Sequence, residues 1–169
     1  GQSGDNYAAG GATVATDVVG PLGPTPSLAT QVSTYLAANG GKADPNALYT
    51  VWGGANNLLG ITTPAQAPAV IGAAVTNQIG IVGSLQAAGA KYVLVPNLPD
   101  IGLTPMARAG GPAAMAQYTA VATAYNNALY GGLTQAGIEF IPLDTFTILS
   151  EIVASPTTYG FRNVTDMAC

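Results

Sequence analysis

Apolar positions recur along this chain with two different periods, and their alternation predicts its architecture. Leu28, Val32 and Leu36 fall at helical spacing behind Ser27, a residue type that caps helix N-termini, and Gly40 marks the stop. Residues 48–52, L-Y-T-V-W, form an apolar, aromatic and β-branched run that reads as a buried strand. Over residues 64–88, Val70, Ile71, Ala74, Val75, Ile79 and Val82 return to one helical face, and Gly89 closes the segment. Gly72, Gly80 and Gly83 each cost such a helix about 1 kcal/mol against alanine, but their small size permits close packing on a sheet.

Residues 92–95, Y-V-L-V, read as a second buried strand, ended by Pro96, and a long loop spans 97–111. Pro112 suits the first turn of a helix that carries Tyr118, Ala122, Tyr125, Leu129 and Leu133 and ends near Gly137. Residues 138–141 read as a third strand, and Asp144 is placed to cap a short helix running through Ile152. Near the start, residues 6–9 read as the end of a strand and 10–13 as the loop after it. Residues 18–26, rich in Gly and Pro, read as irregular, and 156–169 show no clear period.

Strand and helix thus alternate along the chain. Continuous apolar strands between helices predict a mainly parallel sheet covered on both faces, a three-layer α/β/α sandwich. No repeat or linker divides the chain, so residues 1–169 read as a single domain.

Composition narrows the possible functions. A hydrophobic fraction of 49% supplies a core, while only 7% of residues are charged, against an ordinary quarter. That balance excludes a disordered chain. The net charge is −4, and the only cations are Lys42, Lys91, Arg108 and Arg162, which are scattered. No basic patch exists to neutralise phosphates, so no nucleic-acid partner is expected. The first five residues are polar and resemble no signal peptide, and no run of 18 apolar residues is present to cross a membrane. A charge-poor surface rich in Gly, Ala, Thr and Asn is commoner outside cells than in cytosol. Cys169 is the only cysteine. It is either a free thiol or half of a bridge to a cysteine further along the polypeptide, the second being expected in an oxidising compartment. There is no histidine, which removes the commonest general base and zinc ligand. No metal or cofactor is expected.

Candidate chemistry sits at two points. Residues 53–57, G-G-A-N-N, follow the 48–52 strand and carry two side-chain amides at its carboxyl end. In open α/β sheets that edge is where ligands bind. Asn56 is a neutral donor suited to an oxyanion, and an Asx turn is the alternative. Residues 6–13, N-Y-A-A-G-G-A-T, form the other point. A glycine there brings a backbone N–H close to a ligand, or simply makes a tight turn; the segment lacks the G-x-G-x-x-G of a dinucleotide site. Ser3, in G-Q-S-G, precedes no helix and lacks the strand that would hold a nucleophile elbow. Asp100 reads as either a turn residue or a substrate-lining acid.

Taken together and in this order, the two segments resemble the SGNH (GDSL) hydrolase family, and within it the esterase passenger domains of bacterial autotransporters. Asn6-Tyr7-Ala8-Ala9-Gly10-Gly11 is similar to the family's second block, with Gly11 in the glycine position. Gly54-Ala55-Asn56-Asn57 matches three of the four letters of the third block, G-x-N-D, with Asn56 in the oxyanion position. Asn57 stands where the family usually has an aspartate that supports the loop. The run from Tyr92 to Gly102 also resembles the family's strand and loop after that block.

The resemblance implies a flavodoxin-like SGNH fold, incomplete at both ends. The G-D-S-L block with the nucleophile is expected before residue 1 and the D-x-x-H block beyond residue 169. It implies serine carboxylesterase or lipase chemistry on a small-molecule or lipid ester, through an acyl-enzyme, with Gly11 and Asn56 as oxyanion donors. The remaining segments of the same protein are the implied partners. Any membrane anchoring would come through a separate C-terminal domain, at an extracellular or bacterial outer-membrane surface. The alternative is a non-catalytic surface module, an adhesin or carbohydrate-binding domain.

Overall fold

A computed structural model describes residues 4–20 and 23–167. Ser3 and Cys169 lie outside the described residues. Residues 6–9 form no strand; the Asn6 side chain accepts from the Ala8 N–H at 3.0 Å, and that local turn replaces any ladder. The Gly/Pro-rich stretch is more ordered than its composition implies. It forms an antiparallel hairpin of β1 (Val18–Gly20) and β2 (Gly23–Thr25). The Asp17 carboxylate pins the hairpin's base, accepting from the Ser27 N–H at 2.8 Å and the Thr30 hydroxyl at 2.7 Å.

Ser27 caps α1 (Leu28–Ala38) through the Thr30 N–H, as its position implies. Then follow β3 (Leu48–Thr50), α2 (Ala55–Leu59), a 3-10 turn at Pro64–Gln66, α3 (Ala67–Ala87) and β4 (Tyr92–Pro96). The stretch expected as a long loop holds a 3-10 turn, Ile101–Leu103, and the short α4 (Pro105–Ala109). α5 (Gly111–Gln135) carries Pro112 in its first turn. β5 is Ile141–Leu143, three residues later than the apolar run predicts. The Ile138 N–H bonds back to the Leu133 carbonyl at 3.0 Å to close α5, so it is not free to start a ladder. α6 (Thr145–Ala154) follows its expected cap Asp144, and a 3-10 turn, Pro156–Tyr159, comes last.

The chain is an α/β domain whose parallel sheet has the order β3-β4-β5. Three parallel strands are present among the described residues, where the sequence predicts a fourth. The connections through α3 and α5 step across the sheet in one direction. Right-handed crossovers then place both helices on the same face. That face holds Val51, Val93 and Val95, all 5% exposed or less, packed with Ala74, Val82, Tyr125 and Leu129 in one core. α1 joins it through Tyr35, whose hydroxyl lies 2.7 Å from that of Tyr49.

On the other face the register aligns Leu48 with Tyr92 and Leu94 with Ile141. Among the described residues, Leu48, Tyr92 and Ile141 there remain between 43% and 60% exposed. By length and composition the helical stretch Pro64–Ala87 could cross a membrane. Here it buries Ile71, Ala74, Val75, Ile81, Val82 and Leu85 in the core instead.

Candidate functional site

The site forms where β3 runs out. Gly53 and Gly54 turn the chain from strand to α2, and Gly54 adopts φ +106°, backbone that L side chains rarely occupy. A Cβ on Gly54 would overlap the Tyr125 ring. Tyr125 is fully buried and its hydroxyl meets the Gln78 side-chain carbonyl, while the Gln78 amide reaches the Val51 carbonyl at 3.4 Å. Burial pushes the Tyr125 hydroxyl well above its usual pKa, so it stays protonated and acts as donor. Two polar side chains from α3 and α5 thus hold the underside of the turn. Gln78 falls on the buried stripe of α3, and a polar residue at a core position is the signal that would have marked it.

On the upper side, the two amides grip the second segment. The Asn56 side-chain amide donates to the Ala12 carbonyl at 2.8 Å, and the Asn57 side-chain carbonyl accepts from the Val14 N–H at 3.1 Å. These bonds bring residues 11–14 against the end of β3 across more than forty positions of sequence. Gly11 sits in a turn at φ +83°, and among the described residues its N–H has no hydrogen-bond partner. An amide carries two N–H groups, so Asn56 keeps one free after bonding Ala12. The Asn57 oxygen supports the loop, and an aspartate would supply the same acceptor.

That equivalence sets a test. Asn57→Asp keeps the acceptor and is expected to change stability by less than about 0.5 kcal/mol. Asn57→Leu leaves the N–H of fully buried Val14 without a partner and is expected to cost about 1–3 kcal/mol in a urea melt.

The other two strand ends are tied together by Asn97, the first residue after β4. Its backbone carbonyl accepts from the Trp52 indole N–H at 3.1 Å. Its side chain donates to Asp144 at 2.9 Å and accepts from the Phe146 N–H at 3.0 Å. Asp144 is a helix cap, accepting from the Thr147 N–H at 3.1 Å. The Thr147 hydroxyl, then the Asn97 amide, hold its carboxyl below the usual carboxylate range. Asp100 is 6% exposed and bonds the Gly102 N–H at 2.9 Å and the Thr119 hydroxyl at 2.6 Å. It is a turn residue, with both contacts inside the protein. Asn126 of α5 bonds both the N–H and the carbonyl of Leu98, at 2.7 and 2.8 Å, extending β4 as a neighbouring strand would.

A cavity of about 190 Å³ opens beside Asn56, with Ala9, Ala12, Trp52 and Leu98 among the residues that line it. A larger recess lined by Lys91, Glu139 and Phe140 lies at the amino end of β4 and β5, away from Asn56.

An α/β domain with a Gly-Asn turn at a strand's carboxyl end, clamped to a second glycine turn, is the class of protein that this geometry defines. The chain belongs to the GDSL-like lipase/acylhydrolase family, whose sequence description matches residues 1–169. Lipase 1 of Photorhabdus luminescens is 38% identical over 62% of the chain. Esterase EstA of Pseudomonas aeruginosa is 36% identical over 73% of it. An uncharacterized protein in the trpE-trpG intergenic region of Pseudomonas putida is 33% identical over 93%. The chain spans 16%, 19% and 28% of those three relatives' own lengths.

Proposed function

We propose that this domain is part of a serine carboxylesterase or lipase, and that Gly11 and Asn56 donate hydrogen bonds to the oxyanion formed when an ester carbonyl is attacked. The observation that carries this reading is the Asn56–Ala12 bond. It holds an amide that lines the cavity and keeps one N–H unused among the described residues against the turn at Gly11, whose N–H has no partner there either. Two donors so placed meet charge that exists only after attack, which is how an oxyanion hole lowers a barrier.

The nucleophilic serine and its histidine base are supplied by segments of the polypeptide outside these residues; the sequence contains no histidine to take the serine proton. Among the described residues β3 is an edge strand and the outer face of the sheet leaves Leu48, Tyr92 and Ile141 exposed, which supports such a complement. Parallel sheets are ordinarily covered on both faces. Family membership and the low charge content support an extracellular or bacterial outer-membrane-surface location, with any membrane anchor in a separate C-terminal domain.

The test compares two proteins. The full-length protein is expected to hydrolyse p-nitrophenyl butyrate and to take up a fluorophosphonate on a serine outside residues 1–169. The isolated 169-residue chain is expected to do neither. Turnover by the isolated chain would refute the division of labour. A full-length protein that neither hydrolyses esters nor reacts with the probe would favour a non-catalytic surface module.

A further inference from the structure

The chain on the two sides of Gly11 is held by different means. Downstream, Asn56 and Asn57 bond residues 12 and 14, and the start of α1 bonds the same stretch. The Leu28 N–H donates to the Thr13 carbonyl and the Ala29 N–H to the Val14 carbonyl, both at 3.0 Å. Upstream, among the described residues, the hydrogen bonds are local. The Asn6 side chain accepts from the Ala8 N–H at 3.0 Å, and the Ala9 carbonyl accepts from the Ala12 N–H at 3.2 Å. Neither bond ties the segment to the sheet.

The upstream attachment is aromatic. The Tyr7 ring meets the Tyr35 ring of α1 edge to face, with centroids 5.8 Å apart and planes at 79°. The positive edge of one ring then faces the negative face of the other. Tyr35 meets Tyr49 of β3 in the same manner, at 5.6 Å and 66°. The Tyr49 hydroxyl donates to the Asp44 carbonyl at 3.1 Å, so the 2.7 Å bond between the two hydroxyls takes its proton from Tyr35. Burial, and then the bond with Tyr35, push the Tyr49 hydroxyl up to about 12, which keeps it a donor at neutral pH. These bonds fix the Tyr35 ring as a platform. Three tyrosines thus run from β3, the strand that leads to Asn56, to the segment that carries Gly11.

We propose that Tyr7 is a positioning residue: its ring, seated on the Tyr35–Tyr49 pair, fixes the upstream side of the Gly11 turn and so sets where the Gly11 N–H meets the oxyanion. The inference rests on the oxyanion reading of Gly11 and adds the residues that act through it. Tyr7 does not line the cavity beside Asn56, so its loss acts on the charged state and not on substrate binding.

The full-length protein is compared with Tyr7→Ala, Tyr7→Phe, Tyr35→Leu and the double variant Tyr7→Ala/Tyr35→Leu. Tyr7→Ala is expected to lower kcat on p-nitrophenyl butyrate by about 10- to 100-fold, the scale of a misplacement of about 1 Å, with KM changed little. Tyr7→Phe keeps the ring and should restore turnover. The double variant should be no worse than the poorer single one, because both remove one contact. Binding of 1,1,1-trifluorohexan-2-one is measured beside that of hexan-2-one. The first develops an oxyanion once the serine oxygen adds to its carbonyl carbon and the serine proton passes to the base; the second stays neutral. Tyr7→Ala should weaken the fluoroketone by the same factor as kcat and leave the plain ketone unchanged. Hydrogen exchange in the peptide spanning 4–14 should quicken in Tyr7→Ala.

Near wild-type turnover and fluoroketone affinity in Tyr7→Ala would overturn the proposal. So would equal weakening of both ketones, a Tyr7→Phe variant as impaired as the alanine one, additive losses in the double variant, or unchanged exchange. Asn56→Ala serves as the reference: unchanged fluoroketone affinity there would remove Asn56 from the oxyanion hole and leave the Tyr7 readings to stand or fall alone. A full-length protein that neither hydrolyses the ester nor binds the fluoroketone would overturn the catalytic reading and the positioning role with it, while quickened exchange in Tyr7→Ala would still show that the ring anchors the segment.

Discussion

Asn56→Ala in the full-length protein is expected to lower kcat by about 10²–10³-fold, with KM changed little. The magnitude is that of removing one oxyanion donor, since in the proposed role the contact is made only after the carbonyl oxygen becomes charged. Stability should fall by no more than about 1 kcal/mol. Asn56 is solvent-exposed, so the Ala12 carbonyl it abandons can turn to water. Steady-state kinetics and urea melts on the same preparation separate the two effects. Asn56→Asp is the companion: it keeps size and replaces the donor by a carboxylate, and it should be at least as impaired. Near wild-type turnover in the alanine variant would remove Asn56 from the oxyanion hole.

The second large effect is on folding. Gly54→Ala is expected to destabilise the domain by about 3–5 kcal/mol. Two costs combine. The backbone at φ +106° is strained for any residue with a Cβ, and the new methyl would drive into the Tyr125 ring. That ring has nowhere to go: it is fully buried and its hydroxyl is held by Gln78 and, at 3.4 Å, by the Gly53 carbonyl. Against a typical total of about 5–15 kcal/mol, such a loss shows as a large drop in the urea midpoint. Folded molecules of the variant should also turn over slowly, since a shift of about 1 Å in a positioning turn costs on the order of 10²-fold. A loss under about 1 kcal/mol would mean that the Tyr125 side chain yields, and that the turn is held elsewhere.

Much of the architecture was legible because local rules governed it. Ser27, Pro112 and Asp144 each stand at the start of a helix for reasons confined to their own turn. The strands Leu48–Thr50 and Tyr92–Pro96 announced themselves by β-branched and aromatic content, although the first ends two residues before the run 48–52 does and is not buried. The misplaced elements failed for reasons that lie between segments. β5 starts at Ile141 because Ile138 is used to close the preceding helix and because Leu94 selects its partner. The hairpin at Val18–Thr25 exists because Asp17 reaches Ser27 and Thr30, ten and thirteen residues away. Gln78 and Asn126 lie on otherwise apolar stripes, and only the fold shows that both satisfy backbone groups at the ends of β3 and β4.

Sequence by itself determined the class of domain and offered the two short segments through which the chain resembles its family. Hydrophobic period and glycine or asparagine at fixed offsets act over a few residues and need no partner. Tertiary structure decided how those segments meet. Asn56 and Asn57 reach residues 12 and 14 only because the parallel sheet and the turn at Gly54 bring distant chain together. It also decided that one face of the sheet is packed while, among the described residues, the other leaves Leu48, Tyr92 and Ile141 exposed. Both crossovers wind the same way across β3-β4-β5, a property of the path through space that no local pattern of side chains encodes.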